Sequence, residues 1–215
     1  GWDSPVQGPI HPNFVPTTEP SGLGWLDGFD EFFVRCGLES NGAPEFEDNG
    51  RLKYSLHGKI ANTPAHKVEL SINEDLDQIS ITGWTDEIRF HFLKLRLKST
   101  ITITAGKTGF HVKDEIINLS ASPAEIQMLY HINFGTPLLE EGSELIAPLQ
   151  EVVPRNNHAA TGIDNWKLYS KPTPNKEEQV YFATLLGDDN GNTMSMLTNN
   201  QKTKAALLKF NISNL

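Results

Sequence analysis

Between Ala65 and Asn133 apolar and polar side chains alternate with a period of two, the spacing that sends successive side chains to opposite faces of a strand. The runs HKVELSI, QISITGW, LKLRLKSTITITA, GFHVKDEIINLS and AEIQMLYHINFG are rich in Val, Ile and Thr, and NEDLD, TDE, AGKT and SASP separate them. In the fourth run Phe110, Val112 and Ile116 alternate with His111, Lys113 and Glu115. Five strands joined by such short turns predict an antiparallel meander, one layer of a sandwich or barrel. A parallel sheet would need helical segments between its strands, and the pattern contains none.

The flanking regions read differently. Residues 1 to about 50 are rich in Gly, Pro and aromatics, as in GPIHPNFVP and PSGLGWLDGFDEFF. The prolines interrupt any helix, so this stretch reads as irregular, site-building loops with short strands around Gly28 to Leu38. Residues 134–215 are loop-rich again, with a strand expected at Glu178 to Leu186, a DDNGN turn of the hairpin type, and a strand pair at Met194 to Leu197 and Ala205 to Phe210. The expected fold class is all-β: a large antiparallel β-sandwich with few or no helices, formed by 1–215 as a single domain.

Composition narrows the function classes. Basic residues number 18 against 27 acidic, a formal charge of −9, which disfavours nucleic acid and anionic membrane surfaces as partners. Hydrophobic residues make up 38% and charged residues 21%, ordinary for a globular chain and unlike a disordered one. No stretch approaches the roughly 18 apolar residues of a membrane span. A lone cysteine, Cys36, excludes an intrachain disulfide and a cysteine-cluster zinc site. The chain starts without Met and lacks a secretory signal pattern at its start; it stops on KAALLKFNISNL, an apolar segment without a polar tail. Such an ending reads either as a cut inside a domain or as a docked last strand.

Motifs for phosphate-cradling loops, a GxSxG nucleophile and an HExxH zinc site are absent. Of the seven histidines, His57 precedes a glycine at a strand–loop junction in YSLHGKIANTP, and His131 lies in the apolar strand MLYHINFG. His57 could face a cleft or simply pack, whereas His131 among apolar neighbours reads as a core histidine with a satisfied hydrogen bond. His11, His66, His91, His111 and His158 show no spacing for a shared metal. Trp25, Trp84 and Trp166 could each present an aromatic face or fill a core, and packing is the commoner use. Composition and periodicity leave the function open at this point.

The ordered series SLHGKIANTPA, KDEIINL, MLYHINFGTPLL, EGS…APLQEVVPR…W and EQVYF resembles the aldose 1-epimerase (galactose mutarotase-like) superfamily, most closely its bacterial DUF4432-type branch. The resemblance runs over most of the chain from Trp25 onward. It implies a sugar site in a cleft on a β-sandwich and anomer interconversion by paired proton transfer, with no cofactor and no metal. By the family's motif His131 is the acid at the ring oxygen, while His57 binds and polarises the same region. Lys59, Asn133, Glu178 and Gln179 are the further candidate sugar contacts. Lys59 stands where the branch often has Arg, exchanging a planar fork for a point charge. The family's general base, a glutamate in a G-[LI]-E-P segment, has no counterpart in these 215 residues; Glu151 and Glu178 are carboxylates outside that context. The chain is therefore expected to be the central part of a longer sandwich, cytoplasmic, with a small-molecule sugar as its partner and its oligomeric state open. Alternatives are a sugar-binding protein without turnover, favoured by the absent glutamate motif, and an epimerase of a modified sugar; a phosphosugar would call for an Arg/Lys cluster that the sequence lacks.

Overall fold

The computed structural model describes Gly8 and residues 10–214. The chain divides into two compact units, one comprising the described residues up to Asn133 and the other those from Phe134 onward. Both are antiparallel β-structures. Among the described residues no helix is long and apolar enough to cross a membrane.

The first unit contains β1 (Phe33–Leu38), β2 (Glu45–Phe46), β3 (Leu52–Tyr54), β4 (Lys67–Asn73), β5 (Gln78–Arg89), β6 (Leu93–Thr104), β7 (Phe110–Asn118) and β8 (Gln127–Ile132). Strands β4–β5–β6–β7 form the expected meander, in that order. The fifth expected strand does not join it. β8 pairs instead with β1, with Val34 opposite His131 and Arg35 opposite Tyr130. The strand expected near Gly28 starts only at Phe33, because Gly24–Asp27 form a 3-10 turn. The first reversal of the meander comes at NEDLD, where the Asn73 side chain accepts from the Leu76 amide and Asp77 takes a left-handed conformation.

The TDE segment read as a turn is strand. β5 runs through it to Arg89, and the chain reverses at Phe90–Phe92 with His91 at φ near +66°. Its charges have partners that the alternation pattern does not reveal. Asp86 accepts two bonds from Arg96, at 2.6 and 2.8 Å, and Glu87 accepts the Leu38 amide at 2.7 Å.

Register follows chemistry on both faces of the meander. On one face Ser80 pairs with Thr102 and Thr82 with Thr100 through hydroxyl bonds of 2.8 and 2.9 Å, cross-strand pairs of the kind that fix a sheet. The other face is largely apolar, interrupted by Glu87, Ser99 and Asp114, and a slip by one residue would exchange the two. Along β6 that face changes character. Leu93, Leu95 and Leu97 are buried against Leu38 and Ile60, with Ile116 and Met128 beside them, while Ile101 and Ile103 remain 38% and 50% exposed. Leu70, Ile72, Ile79 and Ile81 continue the open part.

At the boundary sits a buried ion pair. Arg35 on β1 donates to Asp114 on β7 at 3.1 Å and to Ser99 on β6 at 2.8 Å. The guanidinium lies 4.7 Å from the Phe33 ring centre. Burial, reinforced by the Asp114 charge, pushes the neighbouring Tyr130 phenol up to about 12. The pair fastens the β1–β8 ribbon to the meander.

The second unit contains β9 (Glu144–Ile146), β10 (Leu149–Pro154), α1 (Asn157–Ala160), β11 (Tyr181–Leu185), β12 (Asn192–Thr198) and β13 (Ala205–Asn211). β9 and β10 fall where a loop was expected, and the strand expected from Glu178 begins only at Tyr181. The pair β12–β13 forms as anticipated, with β9 on its other edge. DDNGN is a tight turn with Gly191 at φ near +78° and Asp188 accepting the Asn190 and Asn192 amides. It does not close a hairpin, because β11 pairs with β10 while β12 pairs with β13 and β9.

Two outcomes follow from this packing. Asp114 is only 2% exposed and Arg35 16%, so Asp114→Ala strands a buried guanidinium and should lower stability by about 3 kcal/mol in chemical denaturation; a loss below about 1 kcal/mol would show that the pair does not hold the ribbon. Cys36 is fully buried, and burial pushes its thiol up to about 12. A thiol reagent at neutral pH should label it only as the protein unfolds, and rapid stoichiometric labelling of the native protein would contradict this packing.

Candidate functional site

The segment SLHGK is bent tightly. His57 and Gly58 are consecutive left-handed residues, with φ near +59° and +74°. Such a φ is uncommon for a residue with a Cβ and must be held by its surroundings. The chain between Gly37 and Gly42 holds it. Gly37 donates its amide to the His57 carbonyl at 3.1 Å and accepts from the Lys59 amide at 3.0 Å, and the His57 amide donates to Gly42 at 2.9 Å. A Cβ on Gly58 would collide with the carbonyl oxygens of Ser40 and Gly37, so glycine is required there.

The same segment orients the imidazole. His57 Nδ1 lies 3.0 Å from the carbonyl oxygen of Asn41. A carbonyl can only accept, so Nδ1 carries the proton, and Nε2 of the neutral ring is the nitrogen with a free lone pair.

His131 comes from β8, opposite Val34. Its ring centre is 5.2 Å from that of His57, at 64°. Trp25 closes the pair from the 3-10 turn, 4.7 Å from His57 and 5.5 Å from His131. Phe29 packs 5.0 Å from Trp25 and 6.0 Å from His131. Val34, Cys36, Leu56 and Ala61 continue this apolar nest. Trp25 is 3% exposed, so it walls the histidines and leaves no open face for a sugar to stack on. The other two tryptophans also pack: Lys67 lies over Trp84 at 4.5 Å, and Trp166 lies 6.1 Å from Tyr181.

The remaining candidates are placed as follows. Lys59 is exposed and adjoins the lock through its backbone. Asn133 lies just past β8 and is buried; its amide side chain donates to the Glu31 carbonyl at 2.8 Å, and its backbone N–H to Phe32 at 2.8 Å. It therefore fixes the approach to β1. The Glu31 carboxyl itself is raised by burial and by the neighbouring Asp30. Glu178 and Gln179 belong to the second unit. Glu178 is exposed and paired with Arg155 at 3.1 Å, and Gln179 donates to the His158 carbonyl and to Thr161, both at 3.3 Å.

The structure therefore brings together His57, His131 and Trp25 of the residues named from sequence, and other neighbours were not foreseen. Phe29 and Asn41 carry no motif, and Asn41 acts through a backbone oxygen that any residue would supply. Glu87 was hidden within an apparent turn. No group of three or more His, Cys, Asp or Glu side chains among the described residues is arranged to hold a metal ion.

The family model described as "Domain of unknown function (DUF4432)" matches residues 1–215. No curated protein matches the chain. Among solved structures, one from Klebsiella pneumoniae subsp. pneumoniae MGH 78578, described as a "putative aldose 1-epimerase", is 37% identical with a TM-score of 0.95; the match covers 100% of this chain and 56% of that one. The chain thus spans little more than half the length of that relative. On the family match and the shared fold together, the protein belongs to the DUF4432 family, within the aldose 1-epimerase superfamily.

Proposed function

We propose that the protein is a mutarotase-like isomerase that interconverts the anomers of an aldose or sugar derivative by acid–base catalysis, without a cofactor. The observation that carries this reading is the pair of imidazoles 5.2 Å apart in a nest built by β1, β8 and the Trp25 turn. A sugar ring does not fit between rings so close. Both histidines therefore work on one side of the ligand, and the second proton-transfer group has to stand on the other.

Protonated His131 gives its proton to the ring oxygen as that oxygen leaves C1. A base on the far side takes the proton of the C1 hydroxyl, and the open-chain aldehyde results. Rotation about C1–C2 and the reverse transfers close the other anomer, so no atom is gained or lost. Imidazole suits this exchange because its ordinary pKa lies near neutrality. His57, with Nδ1–H held by Asn41, offers Nε2 as acceptor for a sugar hydroxyl. A carboxylate is the chemically suited group for the far side.

Asn133 acts by fixing the 31–32 backbone, and the assignment of Lys59, Glu178 and Gln179 to sugar hydroxyls rests on the family resemblance alone. A neutral sugar suits a chain of net charge −9, and a cytoplasmic setting suits its single free thiol.

Exchange NMR or polarimetry on freshly dissolved aldoses should show the full-length protein accelerating anomer interconversion over the buffer rate. His131→Gln should reduce that acceleration by about 10²–10⁴-fold while sugar affinity changes little. Sugar binding without acceleration across a broad panel would leave a carbohydrate-binding protein, and undiminished activity in His131→Gln would remove the role given to that residue.

A further inference from the structure

Glu87 is a buried carboxylate, 9% exposed, that the proposed chemistry does not use. It lies on β5 opposite Leu95, at the edge of the cluster of Leu38, Ile60, Leu93, Leu95 and Leu97. A carboxylate in such a place is unfavourable unless it accepts strong hydrogen bonds. Its Oε2 accepts the Leu38 amide at 2.7 Å. Burial pushes the carboxyl up from its ordinary range, while the amides of Leu38 and Glu39 and the charge of Lys59 pull it back; the Glu39 charge adds to the rise.

Leu38 is the last residue of β1, and the chain that leaves it is the one that holds His57. Within four residues come Asn41, whose carbonyl takes the His57 Nδ1 proton, and Gly42, whose carbonyl takes the His57 amide. The Asn41 amide is tied to Gln127 on β8 at 3.1 Å. The segment is thus pinned at Leu38 by Glu87 and at Asn41 by Gln127, and it presents two carbonyls to one histidine.

We propose that Glu87 is a positioning residue for His57: by holding the Leu38 amide it sets the 38–42 segment so that the Asn41 carbonyl keeps the imidazole proton on Nδ1. The inference deepens the reading of His57 as the sugar-binding histidine and rests on it for its functional meaning. It nevertheless concerns a property of the ligand-free ring. If the Leu38 amide is released, the 38–42 backbone can withdraw, and the neutral ring loses the bond that selects one tautomer. Nε2 then carries the proton in part of the molecules and no longer accepts.

The experiment is ¹⁵N NMR of the histidine side chains in the full chain, without sugar, at a pH where His57 is neutral. Wild type should show Nδ1 of His57 as the protonated nitrogen and Nε2 as the bare one. Glu87→Leu, which removes the acceptor, should give comparable amounts of both tautomers. Glu87→Gln keeps an acceptor oxygen of the same reach and should retain the wild-type pattern. If Glu87→Leu does not fold, Glu87→Asp decides, since it withdraws the carboxylate by one methylene without adding apolar bulk and should give the same mixture. A wild-type pattern in the folded Leu variant, or in Asp where Leu does not fold, overturns the proposal, as does a mixture in Gln. Because no sugar enters this measurement, absence of mutarotation would refute the proposed function and leave the Glu87 result standing.

Discussion

The reciprocal backbone lock between Gly37–Gly42 and His57–Lys59 is the constraint from which the site derives its geometry. A histidine with a left-handed backbone is unfavourable in isolation, and a glycine beside it adds conformational freedom that folding must remove. Three backbone hydrogen bonds between the segments resolve this by making the bend the conformation in which the polar groups are satisfied. Once the bend is set, the imidazole of His57 meets Asn41 on one side and Trp25 on another. His131 arrives independently, on a strand whose register is fixed by six pairs with β1.

That independence explains why the meander matters to the site although it contributes neither histidine. β1 is held from two directions. Arg35 ties it to β6 and β7 through Ser99 and Asp114, and Glu87 on β5 ties its last residue. The leucines of β6 fill the space below Leu38 and Ile60. Polar anchors at defined points on an otherwise apolar interface supply direction where hydrophobic contact is permissive. The same apolar face, followed towards Ile101 and Ile103, opens to solvent. The described fold is therefore best consolidated at the end of the sheet that supports the histidines.

Much of the meander was legible because alternation is a local signal. STITIT declares two faces within six residues, and the hydroxyl pairs of β5 and β6 lie where that alternation puts them. The failures have one source, which is pairing between residues far apart in sequence. β8 reads like a fifth meander strand, yet its partner is β1, about ninety residues earlier. TDE reads like a turn because it is charged, yet Arg96 and the Leu38 amide neutralise or satisfy those charges inside the strand. Similarly, DDNGN has turn chemistry and makes a turn, but turn chemistry does not state which strands will pair beyond it. At the site, the local surroundings of His57 and His131 read equally as packing, and the family resemblance is what brought the two forward. Trp25 was noticed for its aromatic face, whereas its burial shows that packing against both imidazoles is the use the fold makes of it.

The geometry also constrains what the histidines can do for each other. Two imidazoles at 5.2 Å repel if both are protonated, and the apolar nest strengthens that repulsion by excluding water. Fixing the proton of neutral His57 on Nδ1, against a carbonyl, provides a way out. In the mechanism proposed above, His57 remains an acceptor through Nε2 while its neighbour carries the mobile proton. A division of labour between two chemically identical side chains then follows from one backbone oxygen and the strand that presents His131. In the proposed mechanism that asymmetry comes from the main chain, so a substitution that preserves both histidines but shifts the 38–42 backbone would remove it through His57.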